Sequence, residues 1–380
     1  MQIESKLPGL QLTIFTVMTQ LANEHQAINL SQGFPDFNAD PKLIERVQSY
    51  MHANLNQYAP MQGVLALREA IAAKVQSQYG AHYDPMTDIT VTSGGTEALF
   101  AAISAVVKPG DEVIIFEPAY DSYQPVVQLN GGRPVFLKLK FPDYRVDWNE
   151  VQDAITPKTR LMIVNTPHNP TGSVFSPADI EALEQIVGDS GIFILSDEVY
   201  EHIIFDDHVH ASMSRSPALA NRSFVISSFG KTYHTTGWKI GYCLAPPSLS
   251  KEFQKIHQYL TFASNTPIQH AYADMLQDET TYTSLAPFYQ QKRDLFQSFM
   301  QTSRFKVLPC AGTYFQMVDY SEITDQEDVD FARALTIEHG VAAIPPSVFY
   351  HQHDDHRVLR FCFAKKDQTL KEAAEKLCRI

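Results

Sequence analysis

Between residues 88 and 226 short apolar runs alternate with stretches of helical spacing, and no other feature narrows the fold of this chain so far. The runs fall at 89–92, 112–116, 160–164, 192–195 and 224–226. Strands separated by helices need crossover connections, so the alternation predicts an α/β unit: a mostly parallel sheet with helices on both faces. Ligands of such sheets sit beyond the carboxyl ends of the strands. The polar strings that follow each run are therefore the first place to look for chemistry.

Length and charge bound the rest. With 380 residues and 44% hydrophobic content, the chain can bury a large α/β domain and a smaller α+β one. A net charge of −13 argues against a phosphate-backbone partner, because nucleic-acid affinity comes from clustered lysine and arginine. Cys243, Cys310, Cys362 and Cys378 form no Cys-x-x-Cys pair, which points to reduced, core-filling thiols and to neither a disulfide framework nor a zinc ribbon. The N-terminal hexapeptide has no charged leader followed by an apolar core, and no apolar run approaches a membrane span. The expectation is a cytoplasmic protein with small-molecule chemistry and no membrane contact.

The string Ser227-Ser-Phe-Gly-Lys-Thr-Tyr-His-Thr-Thr-Gly-Trp-Lys-Ile-Gly241 follows the fifth run. A lone lysine is normally a solvated surface group. Here Lys231 sits beside Gly230, three residues after Ser228 and ahead of a second cation, Lys239. That arrangement suits an aldehyde-bearing cofactor with a phosphate tail: Lys231 as the amine, with burial or a neighbouring cation favouring its neutral form, and Ser228 and Lys239 on the phosphate.

Other strings follow the other runs. Ser93-Gly-Gly-Thr-Glu-Ala98 opens a helix, where Gly95, Thr96 and backbone amides can bind phosphate. Glu117-Pro-Ala-Tyr-Asp-Ser-Tyr123 offers Tyr120 as a flat face for stacking on a ring; a core aromatic is the plain alternative. Asn165-Thr-Pro-His-Asn-Pro-Thr-Gly172 reads on residue types alone as turn chemistry. In Ser196-Asp-Glu-Val-Tyr200 the carboxylate of Asp197, directly after a buried strand, is costly unless paired with a cation. Arg360 interrupts an apolar strand, and a structural ion pair would explain it as well as a ligand would.

Together these strings resemble the pyridoxal phosphate (PLP)-dependent class I aminotransferases of fold type I. The match runs through nearly the whole chain in family order. Lysine at 239, where many relatives carry arginine, and Trp238 before it resemble the branch holding methionine aminotransferases and kynurenine or glutamine transaminases. The resemblance implies that Lys231 is the catalytic lysine, that Asp197 holds the ring nitrogen, and that Tyr200 and Asn169 meet the ring's phenolic oxygen. It further implies that Gly33, Asn169 and Arg360 hold the substrate carboxylate, with Phe15 also at the substrate. Tyr58 would reach the cofactor phosphate of a neighbouring subunit in a homodimer with shared sites, and the loop at 263–267 lies near the subunit boundary. The likeness of the strings around Phe15, 29–37 and 56–61 favours methionine and large apolar or aromatic donors, with a 2-oxo acid as acceptor.

The expected organisation is an N-terminal arm at 1–45, a large PLP-binding domain at 46–285 and a small domain at 286–380, with strands at 313–318 and 358–363 and a last helix opened by a Thr369/Glu372 capping box. Two other functions use the same fold: a carbon-sulfur β-lyase and a non-enzymatic PLP-binding regulator, the latter without a visible helix-turn-helix or basic segment. The string Tyr350-His-Gln-His-Asp-Asp-His356 reads as a solvated loop in preference to a metal site.

Overall fold

The computed structural model describes residues 3–10 and 12–380; Met1, Gln2 and Gln11 lie outside, and with them part of the N-terminal hexapeptide and of the 1–45 arm. The described residues form three sheets. The central one has seven strands: β2 (Ile89–Thr92), β3 (Glu112–Glu117), β4 (Arg133–Lys138), β5 (Thr159–Asn165), β6 (Phe193–Asp197), β7 (Ser223–Ser228) and β8 (Gly241–Leu244). Their order is β2-β8-β7-β6-β5-β3-β4. All pairings are parallel except those of β8, which runs against both β7 and β2. The mostly parallel sheet read from the apolar runs is therefore present, in the layered α/β architecture of fold type I.

The pleat sends alternate side chains to two cores. Ile115, Ile163, Leu195, Phe224 and Ile226 pack with the helix Gly95–Val106 and with Phe253 of the helix Pro247–Leu260. Ile114, Met162, Val164, Ile194 and Val225 face the opposite core. Burial on both faces explains the unbroken apolar runs, each such side chain contributing about 1.5–3 kcal/mol.

Two smaller sheets join the chain ends. β1 (Ile28–Asn29) pairs in parallel with β11 (Val341–Ala342), and β10 (Phe315–Asp319) lies between β9 (Lys306–Val307) and β12 (Val358–Cys362), antiparallel to both. The amide of Cys362 donates to the carbonyl of Leu30 at 2.8 Å, which seats the turn carrying Gly33 against β12 and hence beside Arg360. The last helix, Asp367–Leu377, buries Leu370, Ala373, Ala374 and Leu377 as its spacing predicts. Its start differs from the expected capping box. Thr369 lies inside the helix and donates to Asp36 Oδ2 at 2.7 Å, and the Lys366 amide donates to Asp36 Oδ1 at 2.6 Å, so a carboxylate from the distant N-terminal arm does the capping.

Cys243, Cys310 and Cys362 are buried free thiols, Cys378 is partly exposed, and none is disulfide-bonded. His351 and His356 of the 350–356 loop stack on Phe136 and Phe141, while Lys138 pairs with Asp354 at 2.8 Å. Among the described residues no helix is long and apolar enough to cross a membrane.

Candidate active site

The carboxyl ends of β2, β3, β5, β6 and β7 open onto one cavity of about 230 Å³, closed on the far side by Phe15, Gly33, Phe315 and Arg360. Gly95, Thr96, Tyr120, Asn169, Asp197, Tyr200, Ser228, Lys231 and Lys239 also line it. Every side chain singled out in the sequence is thus brought together except Tyr58. That ring is 86% exposed, packs edge-on against Phe262 at 5.5 Å, and lies outside the cavity of its own chain.

At one end the helix Gly95–Val106 points its N-terminus at the cavity. Its N-cap, Gly94, has φ +83° and ψ 171°, a conformation open essentially to glycine alone. A Cβ there would lie 3.4 Å from Lys239 Nζ, so the ammonium hangs over the helix terminus, and unpaired amides and a cation converge where an anion is stabilised. Gly230 lines the cavity and is also required by the chain itself. A Cβ on it would meet Thr236 Cα at 3.0 Å, so the close neighbour is the chain's own backbone.

Asp197 ends β6 and is 4% exposed. Burial pushes its carboxyl up to about 6, against the Tyr123 hydroxyl, which donates to Oδ2 at 2.7 Å, and the Val199 amide, which donates to Oδ1 at 3.3 Å. Asn165 Nδ2 fixes the Asp197 carbonyl at 2.8 Å, and Asn165 Oδ1 accepts from the Asn169 amide at 2.8 Å, so one side chain ties the aspartate to the asparagine loop. Below them Glu201 takes up Lys74 Nζ at 2.6 Å and Tyr242 Oη at 3.0 Å, a fully buried ion pair that anchors the segment after β6.

Lys231 stands on the one-turn helix Phe229–Thr232 directly after β7. Burial lowers its amine to about 8; Arg360 and Lys239 push the same way, Cys362 and Asp197 the other. Its Nζ donates to Tyr314 Oη at 2.9 Å and to the Gly33 carbonyl at 3.2 Å.

Arg360 is completely buried, and burial brings its guanidinium down to about 10. Nη1 donates to Asn169 Oδ1 and Nη2 to the Ser31 carbonyl, both at 2.8 Å, and the guanidinium lies 3.9 Å from the Phe315 ring centre. Nε has no partner, and among the described residues no carboxylate is within ion-pair distance. The structural ion pair that the sequence left open is absent there.

Three residues of this site escape sequence reasoning. Tyr123 stands in the same string as Tyr120 and could have been weighed as a phenol donor. Asn165 opens the asparagine loop. Tyr314 carries no local signal: it reads as one aromatic among several in an apolar strand.

A buried carboxylate, a lysine of weakened basicity, an anion cradle and an unpaired guanidinium around one cavity suit an enzyme acting on amino acids through an aldehyde cofactor. The chain belongs to the aminotransferases of class I and II, whose family pattern matches residues 25–377. Enzymes of that class depend on PLP, and their substrates are amino acids and oxo acids. Over 378 residues the chain is 54% identical to the methionine aminotransferase of Escherichia coli, covering 99% of this chain and 98% of that one. A solved E. coli structure identified as having a methionine aminotransferase function superposes with a TM-score of 0.98 at 53% identity over 100% of both chains. The N-succinyldiaminopimelate aminotransferase of Mycobacterium tuberculosis superposes with a TM-score of 0.95 at 37% identity, again over 100% of both.

Proposed function

We propose that this aminotransferase moves the amino group of methionine, or of another large apolar or aromatic amino acid, to a 2-oxo acid with PLP held in the cavity. The observation that carries this reading is Arg360: a fully buried guanidinium facing the same space as Lys231, with no carboxylate among the described residues within ion-pair distance. A buried charge left without a partner is strongly destabilising, and a substrate carboxylate would supply the partner through parallel hydrogen bonds. The methionine preference is supported by the similarity to the E. coli enzyme.

Bound PLP supplies an aldehyde for an amine and a ring that takes up the electron pair left when an α-proton departs. The chain's residues do the rest. Ser228, Lys239, Thr96 and the amide of Gly95 hold the phosphate. Asp197, kept in place by Tyr123, would be the counter-ion of a protonated ring nitrogen, Tyr120 would stack on the ring, and Tyr200 and Asn169 would donate to its oxygen. Arg360, Asn169 and Gly33 would hold the substrate carboxylate and so orient the α-carbon for proton loss in preference to decarboxylation, with Phe15 beside the substrate. Lys231 Nζ takes the α-proton, since an amine lowered to about 8 keeps a neutral fraction at pH 7.

The site closes between the arm at 1–45, the large unit at 46–285 and the segment at 286–380. The exposed Tyr58 is placed to serve the cavity of a second copy in a cytoplasmic homodimer. A panel of amino donors against several oxo acids tests the reading. Methionine should yield its oxo acid only when an acceptor is present; ammonia and pyruvate formed from cysteine conjugates without acceptor would replace the transaminase by a β-lyase.

A further inference from the structure

We propose that Tyr314 is a positioning residue which, with the Gly33 carbonyl, forms the resting place of Lys231 Nζ whenever that amine is not bonded to the cofactor. The proposal rests on the assignment of Lys231 as the catalytic base. Three atoms meet: Lys231 Nζ donates to Tyr314 Oη at 2.9 Å and to Gly33 O at 3.2 Å, and Tyr314 Oη donates to Gly33 O at 2.5 Å. The Tyr200 hydroxyl also reaches Tyr314, and toward Lys231, which has only hydrogens to give as an ammonium, the phenol oxygen accepts. Both contacts therefore favour the ammonium over the amine.

The groups facing Lys231 are few. The carboxylate of Asp197 and the thiol of Cys362 favour its charged form, Arg360 and Lys239 oppose it, and the rings of Tyr200 and Tyr314 lie 5.4 and 5.5 Å from Nζ. Tyr314 is fully buried, and its ring stands edge-on to Tyr200 with centres 5.2 Å apart. The base that has just taken an α-proton needs its new charge stabilised without being carried away from the reacting carbon. An acceptor pair fixed on one side by the residue that leads into β10 and on the other by the N-terminal turn does both. Because Gly33 is also assigned to the substrate carboxylate, seating of substrate and parking of the lysine share one turn.

The test uses the full-length enzyme carrying the aminated cofactor, in which Lys231 is free. Lysine 15N NMR follows its titration, with the resonance identified by its loss in Lys231→Ala. The parent midpoint should lie below the ordinary lysine value, because burial disfavours the ammonium. Tyr314→Phe keeps the ring packing and removes one acceptor, so the midpoint should fall by about one pH unit, a tenfold loss of proton affinity. In the same variant kcat should fall about tenfold with KM changed much less. An unchanged midpoint in a folded Tyr314→Phe overturns the proposal. If that variant does not fold, the parent decides: ammonium hydrogens held by Tyr314 and Gly33 exchange slowly enough to give a 15N–1H correlation at pH 7, and its absence overturns the proposal. Cofactor still trapped by borohydride in Lys231→Ala would instead overturn the assignment of Lys231.

Discussion

Replacing Arg360 by lysine separates carboxylate recognition from generic positive charge. In the parent, Nη1 and Nη2 each spend one hydrogen on Asn169 Oδ1 and Ser31 O, leaving their second hydrogens and the unpartnered Nε–H for a ligand. The plane is held by Phe315 at 3.9 Å, so the fork is presented without loss of rotamer freedom. A lysine ammonium keeps the charge but loses the second parallel bond and the stacking, and it leaves Asn169 Oδ1 or Ser31 O without a donor. A charge-assisted bond contributes about 1.5–3 kcal/mol, so the loss should be about 2–4 kcal/mol in transition-state stabilisation. That corresponds to about a 30- to 1000-fold drop in kcat/KM for methionine. The assay compares methionine with its decarboxylated amine on the parent and on Arg360→Lys. The parent should prefer methionine strongly and the variant should lose most of that preference, because the amine never used the fork. An unchanged ratio would refute the reasoning and make Arg360 a packing residue.

Three further outcomes are expected. Asp197→Ala should slow single-turnover proton abstraction about 100- to 1000-fold while changing substrate affinity far less, because its charge acts on electrons that arrive only in the transition state; a normal single-turnover rate would contradict it. Lys74→Met should destabilise the fold by about 3–5 kcal/mol in denaturant titrations, since it removes the cation beside the buried Glu201 carboxylate, and adding Glu201→Gln, which keeps an acceptor for Tyr79, Ser227 and Tyr242, should recover part of that loss. Glu117, with Oε2 unpartnered, has its carboxyl pushed up to about 7 by burial, so the folded state binds a proton that the unfolded chain releases, and stability falls as pH rises from about 4.5 to 7. Glu117→Gln should flatten that slope in unfolding measurements at pH 5.5 and 8.5, and an unaltered slope would assign the proton elsewhere.

What could be read without coordinates follows from the range of the forces involved. The strand at 89–92 coincides with β2 because burial on both faces demands an unbroken apolar run. β4 left no such mark. Like β2 it is an edge strand, but unlike β2 its ends Arg133 and Lys138 are exposed and its middle is only half-buried, so nothing forces its composition. β8 was hidden for another reason: Gly-Tyr-Cys-Leu continues the lysine string, and its antiparallel entry is visible only in the packing, where a Cβ on Gly241 would meet the Ser227 carbonyl at 2.7 Å. At the site, residues that act through one loop, such as Asn169, Asp197 and Lys231, are written in short strings because the chemistry constrains neighbours together. Tyr314 meets Gly33 across 281 residues and Lys231 across 83, and no local pattern encodes a contact of that kind. The same limit applies to Arg360. Its sequence context, one cation in an apolar strand, fits a structural ion pair; only the packing shows that among the described residues no carboxylate pairs with it and that the unpaired nitrogen belongs to a cavity-lining side chain. A residue whose local signature fits a structural ion pair equally well thus carries the strongest functional argument, because the argument depends on what the fold leaves unpaired.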